Sequence, residues 1–325
     1  MTANMAAGRE SVGTTYVIVL TWNGREDTLA CLSSLVPILS GTVKAVVVDN
    51  GSTDGTADAV RASYPGIEVL ELAENMGFSA GNNAGIRHAL GKGAEYVVLL
   101  NNDTVVDGNF VDALLAASRE VPGKGFYCSK IYFFDRPEIL WFAGATFDGF
   151  TGRSVHIGYG ERDTGRYDSI REIERPCGCA VMVTRKFLEE VGLLEEALFL
   201  YGEEIDWMIR AKRKGYGCVL VPRSTVRHKV SVGTGGALSG NVPYYTVRNT
   251  LFTLNRLLPM RTAWGRHFRN LAVVLVVFMS VFTSRLAIRN SIRSICSGIK
   301  DYASGVTGKR RNGTGPSPGC GAPVK

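Results

Sequence analysis

The stretch that decides the fold is Val43-Lys-Ala-Val-Val-Val-Asp49, which is followed at once by Asn50-Gly-Ser-Thr-Asp-Gly-Thr56. The first segment is apolar and β-branched, which is typical of a buried strand. The second is rich in Gly, Ser, Thr and Asp, the residue types that form turns and cap helices. The junction therefore predicts a buried strand that ends in a polar turn and leads into a helix over 53–63.

The same alternation of strand and helix recurs through the first hundred residues. Strands are predicted at 16–21, 43–49, 67–72 and 96–100, and helices at 25–39, 53–63 and 79–90. Strands that alternate with helices form a parallel sheet joined by right-handed crossovers and covered on both faces. We therefore expect an α/β fold with a Rossmann-like, mostly parallel sheet flanked by helices.

Polar residues follow three of these strands, at 21–24, 49–55 and 101–104. In parallel α/β sheets the ligand binds beyond the carboxyl ends of the strands. The three clusters are therefore expected to form one crevice. Asp49 suits a hydrogen bond to a nucleobase N–H or a ribose hydroxyl, although the stretch around it is also an ordinary strand-to-helix turn. Asn101-Asn102-Asp103 suits Mg²⁺ or Mn²⁺, which bind one or two carboxylates plus phosphate oxygens, but it too could be a turn.

A second acidic group lies near the start of a predicted helix, at Glu203, Glu204 and Asp206. Two adjacent carboxylates repel each other, which raises the pKa of one of them toward a value useful for a general base. The alternative is structural, because acids stabilise a helix N-terminus and Asp206 can pair with Arg210.

Other motifs exclude several kinds of site. The glycines of 77–85 lack the GxGxxG spacing of a dinucleotide fold. Cys177 and Cys179 have no second Cys or His pair at the spacing of a zinc site. His228 fits either a ligand or a half-buried histidine. The seven cysteines are an odd number in a long chain, and no secretory signal peptide is visible. Both observations favour free thiols and a cytoplasmic location.

The net charge of +7 is concentrated at the C-terminal end. Residues 243–325 hold thirteen Lys and Arg residues against one acid, Asp301. This segment contains the apolar run 271–284 and the arginines Arg261, Arg266, Arg269, Arg285, Arg289 and Arg293. An apolar run among basic residues favours an anionic membrane surface over a nucleic acid.

The apolar run 271–284 is shorter than the ~20 residues of a spanning helix. We therefore expect it to lie in or dip into the bilayer, which makes the protein peripheral at the inner face of the plasma membrane. Packing as a buried helix or as an oligomer contact is the alternative. The expected organisation is a flexible N-terminus (1–14), an α/β domain (15–255), a helical membrane-associating extension (256–303) and a disordered tail (304–325).

Taken in order, the motifs resemble the family 2 glycosyltransferases of the GT-A fold, and within them the bacterial rhamnosyltransferase-like branch. The matching stretches are 17–23, 46–56, 75–85, 99–104, 199–210 and 244–249. The resemblance implies an inverting, metal-dependent transferase that uses a nucleotide-sugar donor, with dTDP-rhamnose typical of the branch. The implied acceptor is a lipid-diphosphate-linked or other cell-envelope glycan.

The resemblance also assigns roles to individual residues. It makes Glu204 the catalytic base and Asp103, with Asn101, the ligand of Mg²⁺ or Mn²⁺. The implied donor-binding residues are Thr21, Asn23, Asp49, Asn50, Ser52, Asn75, Gly77, Asn82 and Asn102. The implied residues on the acceptor or phosphate side are Glu203, Asp206, Trp207 and His228.

Two positions depart from the family pattern. Asn101 stands where many members have an Asp, and Glu204 stands where the usual base is Asp. The alternatives are a nucleotidyltransferase of related α/β fold, which usually opens with a Gly-rich basic loop that is absent after the first strand here, and a non-catalytic, membrane-docked relative. The sequence gives no indication of the oligomeric state.

Overall fold

The computed structural model describes residues 13–230, 241–283 and 288–310. Within these ranges the chain forms a ten-stranded mixed sheet, a separate two-stranded hairpin and nine α-helices. The predicted flexible N-terminus lies outside the described residues apart from Gly13 and Thr14.

The strands of the described part confirm the four strands predicted from sequence, to within one residue at each end. Their bounds are β1 Thr15–Thr21, β2 Val43–Asp49, β3 Glu68–Glu71, β4 Tyr96–Asn101, β5 Thr104–Val106, β6 Phe126–Phe133, β7 Leu140–Phe142, β8 Ala145–Phe147, β9 Ser154–His156, β10 Arg171–Ile173, β11 Ala180–Thr184 and β12 Cys218–His228.

The helices also follow the predicted order. Their bounds are α1 Arg25–Leu35, α2 Thr56–Ser63, α3 Gly77–Gly91, α4 Phe110–Glu120, α5 Arg185–Val191, α6 Glu203–Arg213, α7 Asn241–Leu257, α8 Ala263–Thr283 and α9 Ile288–Ala303. The first helix ends earlier than predicted because Pro37 lies in a 3₁₀ turn that follows it. The second begins at Thr56 because Gly55, with a φ of 77°, lies in the left-handed region.

The first four strands form a parallel block in the order β3, β2, β1, β4. In this register Thr21 lies beside Asp49, and Leu20 lies beside Asn101. The carboxyl ends of β1, β2 and β4 therefore meet at one edge, which confirms the predicted grouping of the polar clusters.

The other half of the sheet is mixed, so the parallel pairing expected from the sequence is concentrated in the first four strands. β11 is antiparallel to both β4 and β6, and β12 is parallel to β6 but antiparallel to β5 and β10. Residues 134–179, which join β6 to β11, contain strands and loops but no helix. Parallel neighbours are usually joined by a helical crossover, and this connection has no helix. The chain accordingly returns from β6 to β11 in the antiparallel direction.

Helix α3 packs closely on the parallel block through two glycines. A Cβ added at Gly81 would lie 2.5 Å from Leu20, and one at Gly85 would lie 2.6 Å from Ile18. The glycine-rich stretch 77–85 therefore serves helix-to-sheet packing.

The C-terminal helices pack onto the sheet domain, and two sequence-based boundaries change. The predicted boundary between 255 and 256 falls inside α7, where Arg256 pairs with Asp206 of α6 and with Glu195. Residues 304–310 of the predicted disordered tail are ordered, because the Gly308 N–H donates to the Ala197 carbonyl at 2.7 Å. The remainder of that tail, 311–325, lies outside the described residues.

Candidate active site

The loops that follow β1 and β2 bind each other at the edge of the sheet. The Asn23 N–H donates to Ser52 Oγ at 2.9 Å, and Asn23 Oδ1 accepts from the Thr53 N–H at 2.7 Å. Asn23 adopts a φ of 49°, a region that asparagine tolerates better than most residues. Two of the predicted donor-binding residues, Asn23 and Ser52, therefore form part of one continuous polar surface.

The end of β2 is also bonded to the loop that precedes α3. Asp49 Oδ1 accepts from the Ser52 N–H at 2.8 Å. Asn50 Oδ1 accepts from the Met76 N–H at 2.9 Å, and Asn50 Nδ2 donates to the Gly77 carbonyl at 3.1 Å and to Asn75 Oδ1 at 3.3 Å. Four predicted donor-side residues, Asp49, Asn50, Asn75 and Gly77, are therefore brought together.

Two of the residues predicted to contact the donor form hydrogen bonds within the protein instead. Thr21 is 1% exposed, and its Oγ1 accepts from Thr28 Oγ1 at 2.8 Å. Asn82 is 2% exposed and bonds back to the Phe78 carbonyl. Both side chains are buried in the structure, so the expectation that they contact a donor is corrected. Asn102, which is partly exposed, donates to Thr28 Oγ1 at 3.1 Å and lies beside the crevice.

Asp103 and His228 form a buried pair at the end of the central sheet. Thr104 of β5 pairs with His228 of β12, which brings the preceding Asp103 next to the histidine. His228 Nε2 lies 3.0 Å from Asp103 Oδ1. Within the described ranges neither Asp103 Oδ1 nor His228 Nδ1 has a hydrogen-bond partner.

An unpartnered carboxylate oxygen beside an imidazole fits a divalent cation. Mg²⁺ is typically held by one or two carboxylates and completed by substrate phosphates, and Mn²⁺ accepts oxygen and imidazole ligands. Among the described residues no group of three or more His, Cys, Asp and Glu side chains could enclose a metal ion alone. The residues present therefore fit a cation that shares its coordination with a bound diphosphate.

Asn101 contributes to this region through its backbone. Its N–H donates to the Cys179 carbonyl at 2.9 Å, and its own carbonyl accepts from Thr104 Oγ1 at 2.6 Å. These bonds fix the end of β4 against the segment before β11. That the Asn101 side chain binds a metal stays a prediction.

The two acids at the start of α6 have different surroundings. Glu203 is 4% exposed, and its Oε2 has no hydrogen-bond partner among the described residues. Burial, and secondarily the neighbouring Glu204, raise the pKa of Glu203 well above its usual range. Glu204 is partly exposed, and its Oε1 accepts from the Gly178 N–H at 3.4 Å. A base must reach the acceptor hydroxyl, and Glu203 is buried whereas Glu204 is partly exposed, so the geometry favours Glu204 of this pair as the base.

Arg175 and Gly178 are site residues that the sequence analysis did not identify. Arg175 Nη1 lies 3.8 Å from Glu204 Oε1, and Arg175 Nε donates to Ser154 Oγ at 2.7 Å. A Cβ added at Gly178 would lie 3.4 Å from Glu204 Oε1 and 3.3 Å from Phe78 Cζ. In the sequence, Gly178 stands out only as the residue between Cys177 and Cys179. Its small size lets the backbone approach the carboxylate.

Asp206 and Trp207 do not face the crevice, which corrects their predicted role. Asp206 is fully buried and pairs with Arg210 at 2.7 Å and with Arg256. Trp207 is 1% exposed, donates to the Gly192 carbonyl, and packs against Phe126 and Phe187. Both residues hold α6 against the core, because they lie on the inward side of the helix.

The six cysteines of the described part are free thiols. Burial raises the pKa of Cys177 to about 12, and the pKa of Cys31 is likewise raised to about 12 by burial. A protonated, buried thiol is neither a nucleophile nor a good metal ligand.

Several known proteins that resemble this chain are sugar transferases. The family model for Glycosyl transferase family 2 matches residues 16–192, more than half of the chain. The hexosyltransferase Agl10 of low-salt glycan biosynthesis from Haloferax volcanii is 28% identical over 205 residues, which are 61% of this chain and 61% of that protein. The N-acetylglucosaminyl-diphospho-decaprenol L-rhamnosyltransferase of Mycobacterium tuberculosis is 26% identical over 270 residues, which are 77% of this chain and 86% of that protein.

The solved structure of GalNAc-T7 with UDP, GalNAc and Mn²⁺ is similar in fold. It aligns with a TM-score of 0.58 and 15% identity, covering 91% of this chain and 58% of that one. At this identity the similarity concerns the fold alone, and it confirms the expected GT-A fold. The chain spans less than two thirds of both the Haloferax protein and this structure.

Replacing Glu203 by Gln should change how stability depends on pH. The folded state keeps the Glu203 proton at pH values where the unfolded chain releases it, because the folded pKa is raised. The free energy of unfolding therefore falls as pH rises above the unfolded pKa, by about 1.4 kcal/mol per pH unit until the folded pKa is reached. Glu203→Gln should remove this loss, so the free energy of unfolding of the variant should rise relative to that of the wild type as pH increases above the unfolded pKa of Glu203.

Urea denaturation at several pH values measures this difference, with Glu120→Gln, on the exposed side of α4, as the control. If the free energies of unfolding of the wild type and Glu203→Gln differ by the same amount from pH 5 to 8, Glu203 is ionised in the folded protein and the prediction is wrong.

Proposed function

The chain belongs to glycosyl transferase family 2, and we propose that it is an inverting glycosyltransferase that moves a sugar from a nucleotide-sugar to an acceptor hydroxyl. The main observation in support of the proposal is that the segment 178–179 contacts both halves of the site. Gly178 contacts Glu204, and the Cys179 carbonyl is bonded to Asn101 at the end of β4. Burial raises the pKa of Cys179 well above its usual range, and the neighbouring Cys177 and Asp103 raise it further. The proposed base and the proposed cation ligand thus lie on either side of one short segment.

The proposed reaction is a single displacement at the anomeric carbon. Glu204 accepts the proton of the acceptor hydroxyl, whose oxygen forms the new bond to that carbon. The bond to the nucleotide diphosphate breaks, and its electron pair leaves with the diphosphate oxygen. Attack from the face opposite the leaving group inverts the configuration. Arg175 would keep Glu204 oriented.

Asp103 and His228 would hold Mg²⁺ or Mn²⁺, with Asn101 as a further proposed ligand. When bound, the cation would neutralise charge on the departing diphosphate. GalNAc-T7, whose fold is similar, was solved with Mn²⁺ and UDP. The loop surface that contains Asp49, Asn50, Asn75 and Gly77 would then bind the nucleotide part of the donor.

The proposed acceptor is a lipid-diphosphate-linked or other cell-envelope glycan, and the proposed donor is dTDP-rhamnose. The name of the mycobacterial relative, an N-acetylglucosaminyl-diphospho-decaprenol L-rhamnosyltransferase, supports both rhamnose and a lipid-linked acceptor. The free thiols of the described part support a reducing, cytoplasmic compartment.

Helix α8 supports contact with a membrane surface. One of its faces is buried, at Val273, Val277 and Val281. The opposite face exposes large apolar side chains at helical spacing, which we call the α8 stripe: Trp264, Phe268, Leu271, Leu275 and Met279, each more than half exposed. A helix with one packed and one exposed apolar face suits an interface between water and lipid. In the described ranges no helix is both long and apolar enough to cross a bilayer.

The basic residues around the α8 stripe are fewer than the sequence indicated. Arg261, Arg266, Arg289 and Arg293 are exposed. Arg269 is 1% exposed and bonds to Asn255 and the Leu258 carbonyl, so it cannot reach a lipid headgroup. Arg285 lies outside the described residues.

The α8 stripe is connected to the site through the β8–β9 hairpin. The Phe268 ring lies 5.9 Å from the Phe150 ring in the turn of that hairpin, and Ser154 of β9 bonds to Arg175 beside Glu204. A bilayer against α8 would thus meet the side of the protein where Glu204 lies. This arrangement suits an acceptor that is anchored in lipid.

Glu204→Gln is expected to lower kcat by roughly 10²–10⁴-fold, the range for loss of a general base, while donor binding persists. Glu203→Gln should cost less, because Glu203 is buried and Glu204 is the partly exposed member of the pair. The measurement is release of nucleoside diphosphate from a panel of nucleotide-sugars that includes dTDP-rhamnose, with and without Mn²⁺, alongside donor affinity by calorimetry.

Reversed effects would make Glu203 the base. A wild-type protein without turnover on any donor would favour the non-catalytic relative. Release of pyrophosphate from a nucleoside triphosphate, in a separate assay that supplies a sugar 1-phosphate, would favour a nucleotidyltransferase.

Trp264→Ser with Phe268→Ser and Leu271→Ser should release the protein from anionic liposomes. Burying each of these side chains in an apolar medium is worth about 1.5–3 kcal/mol, so binding should fall by well over tenfold. Arg261→Gln with Arg266→Gln should weaken binding less, at about 1 kcal/mol per charge, and mainly at low salt. Co-sedimentation with anionic and neutral liposomes measures both.

Arg119→Gln on the exposed side of α4 is the matched charge control. Unchanged sedimentation of the triple variant would contradict the membrane assignment. A dimer in the wild type that the triple variant loses would assign the α8 stripe to a second copy instead.

A further inference from the structure

The backbone that leads into α6 is strained. Phe199 has a φ of 64°, Tyr201 has a φ of 65° and Gly202 has a φ of 91°. Bulky residues rarely adopt positive φ, and they keep it only where surrounding contacts hold them. Glu203 and Glu204 follow directly, so the position of the proposed base depends on whatever holds residues 198–202.

The Asn249 side chain of α7 holds this segment. Asn249 is 1% exposed, and its Nδ2 lies within hydrogen-bonding distance of the carbonyls of Leu198 at 2.9 Å, Leu200 at 2.9 Å and Tyr201 at 2.6 Å, which share its two protons. Its Cβ lies 3.6 Å from where a Cβ at Gly202 would be. A single amide thus binds three of the four carbonyls that precede Gly202.

Arg248 fixes the orientation of that amide. Its Nε donates to Asn249 Oδ1 at 2.9 Å, which directs Nδ2 toward the segment. Its Nη2 donates to the Leu198 carbonyl at 2.9 Å, and its Nη1 donates to the Gly308 carbonyl at 2.6 Å. The guanidinium is 1% exposed and also lies over the rings of Tyr244 and Tyr245.

The same segment touches the donor side of the site. The Phe199 carbonyl accepts from the Phe78 N–H at 2.6 Å, and a Cβ at Gly77 would lie 2.5 Å from that carbonyl oxygen. The Phe199 ring stacks on Tyr245 at 5.6 Å. Residues 198–202 are thus held between α7 and the start of α3.

We propose that Asn249, oriented by Arg248, is a positioning residue that sets the place of Glu204 relative to the donor loop by binding the carbonyls of residues 198–201. This inference rests on the proposed function for its catalytic consequence. Its structural part, the restraint of residues 198–202, stands independently of any activity.

The test compares Asn249→Asp with Thr253→Val in the full-length protein. Aspartate has nearly the same shape as asparagine, but it replaces the donating amide by an oxygen that the three carbonyls repel. Thr253 is a buried residue one turn further along α7, and its Oγ1 has no hydrogen-bond partner among the described residues, so valine should be neutral there.

Asn249→Asp should lower kcat by about 10²-fold, the cost of displacing a catalytic group by about one ångström. KM for the donor should change much less, because the Asn50 bonds to Met76 and Gly77 remain. Amide exchange of residues 199–206 should become faster in Asn249→Asp and stay unchanged in Thr253→Val. If Asn249→Asp does not fold, Asn249→Ser, which keeps a single donor, should give the same pattern at smaller amplitude.

The outcomes separate the two proposals. Unchanged exchange and unchanged kcat in a folded Asn249 variant, while Glu204→Gln still lowers kcat, would overturn the positioning role alone. If Glu204→Gln leaves turnover intact, the proposed function fails, and faster exchange at 199–206 would still support the restraint. A loss of kcat that accompanies an equal loss in Thr253→Val would mark a general packing defect and overturn the inference.

Discussion

The parallel register of β1 with β2 and β4 is the constraint on which the rest of the structure depends. It places the residues that follow three strands at one edge of the sheet. Their backbone N–H and C=O groups lie beyond the hydrogen bonds between the strands, so they need other partners. Asn23, Asp49 and Asn50 supply those partners, binding the loops to one another. The crevice is therefore bounded by side chains that stabilise the fold and also present polar atoms to a ligand.

The second half of the site depends on interactions that are distant in sequence. Helix α6 is held by the Asp206–Arg256 pair, by Trp207 in the aromatic core and by the segment that Asn249 binds. These contacts bury Glu203 and leave Glu204 at the surface of the crevice. Burial of one acid and exposure of the next gives the two neighbouring carboxylates different surroundings, and burial raises the pKa of Glu203.

The sequence predicted the local part of this arrangement well. The runs of β-branched residues and the polar turns after them gave the four parallel strands and the shared edge, because these patterns depend on neighbours in the chain. Thr21, Asn82, Asp206 and Trp207 were misassigned, because burial depends on packing between distant elements. Arg175 and Gly178 were missed for the same reason. Gly178 contacts Glu204 because the segment before β11 packs against α6. The spacing of residues in the sequence does not indicate this contact.

In the proposed mechanism, one carboxylate at the start of α6 directs a single displacement on a nucleotide-sugar bound at this edge of the sheet. The anomeric configuration of the first product, observed by NMR before it can equilibrate, shows whether the sugar is transferred in this way. A single displacement predicts the configuration opposite to that of the donor. A product that retains the donor configuration would contradict the account, because retention requires two displacements or attack on the same face as the leaving group.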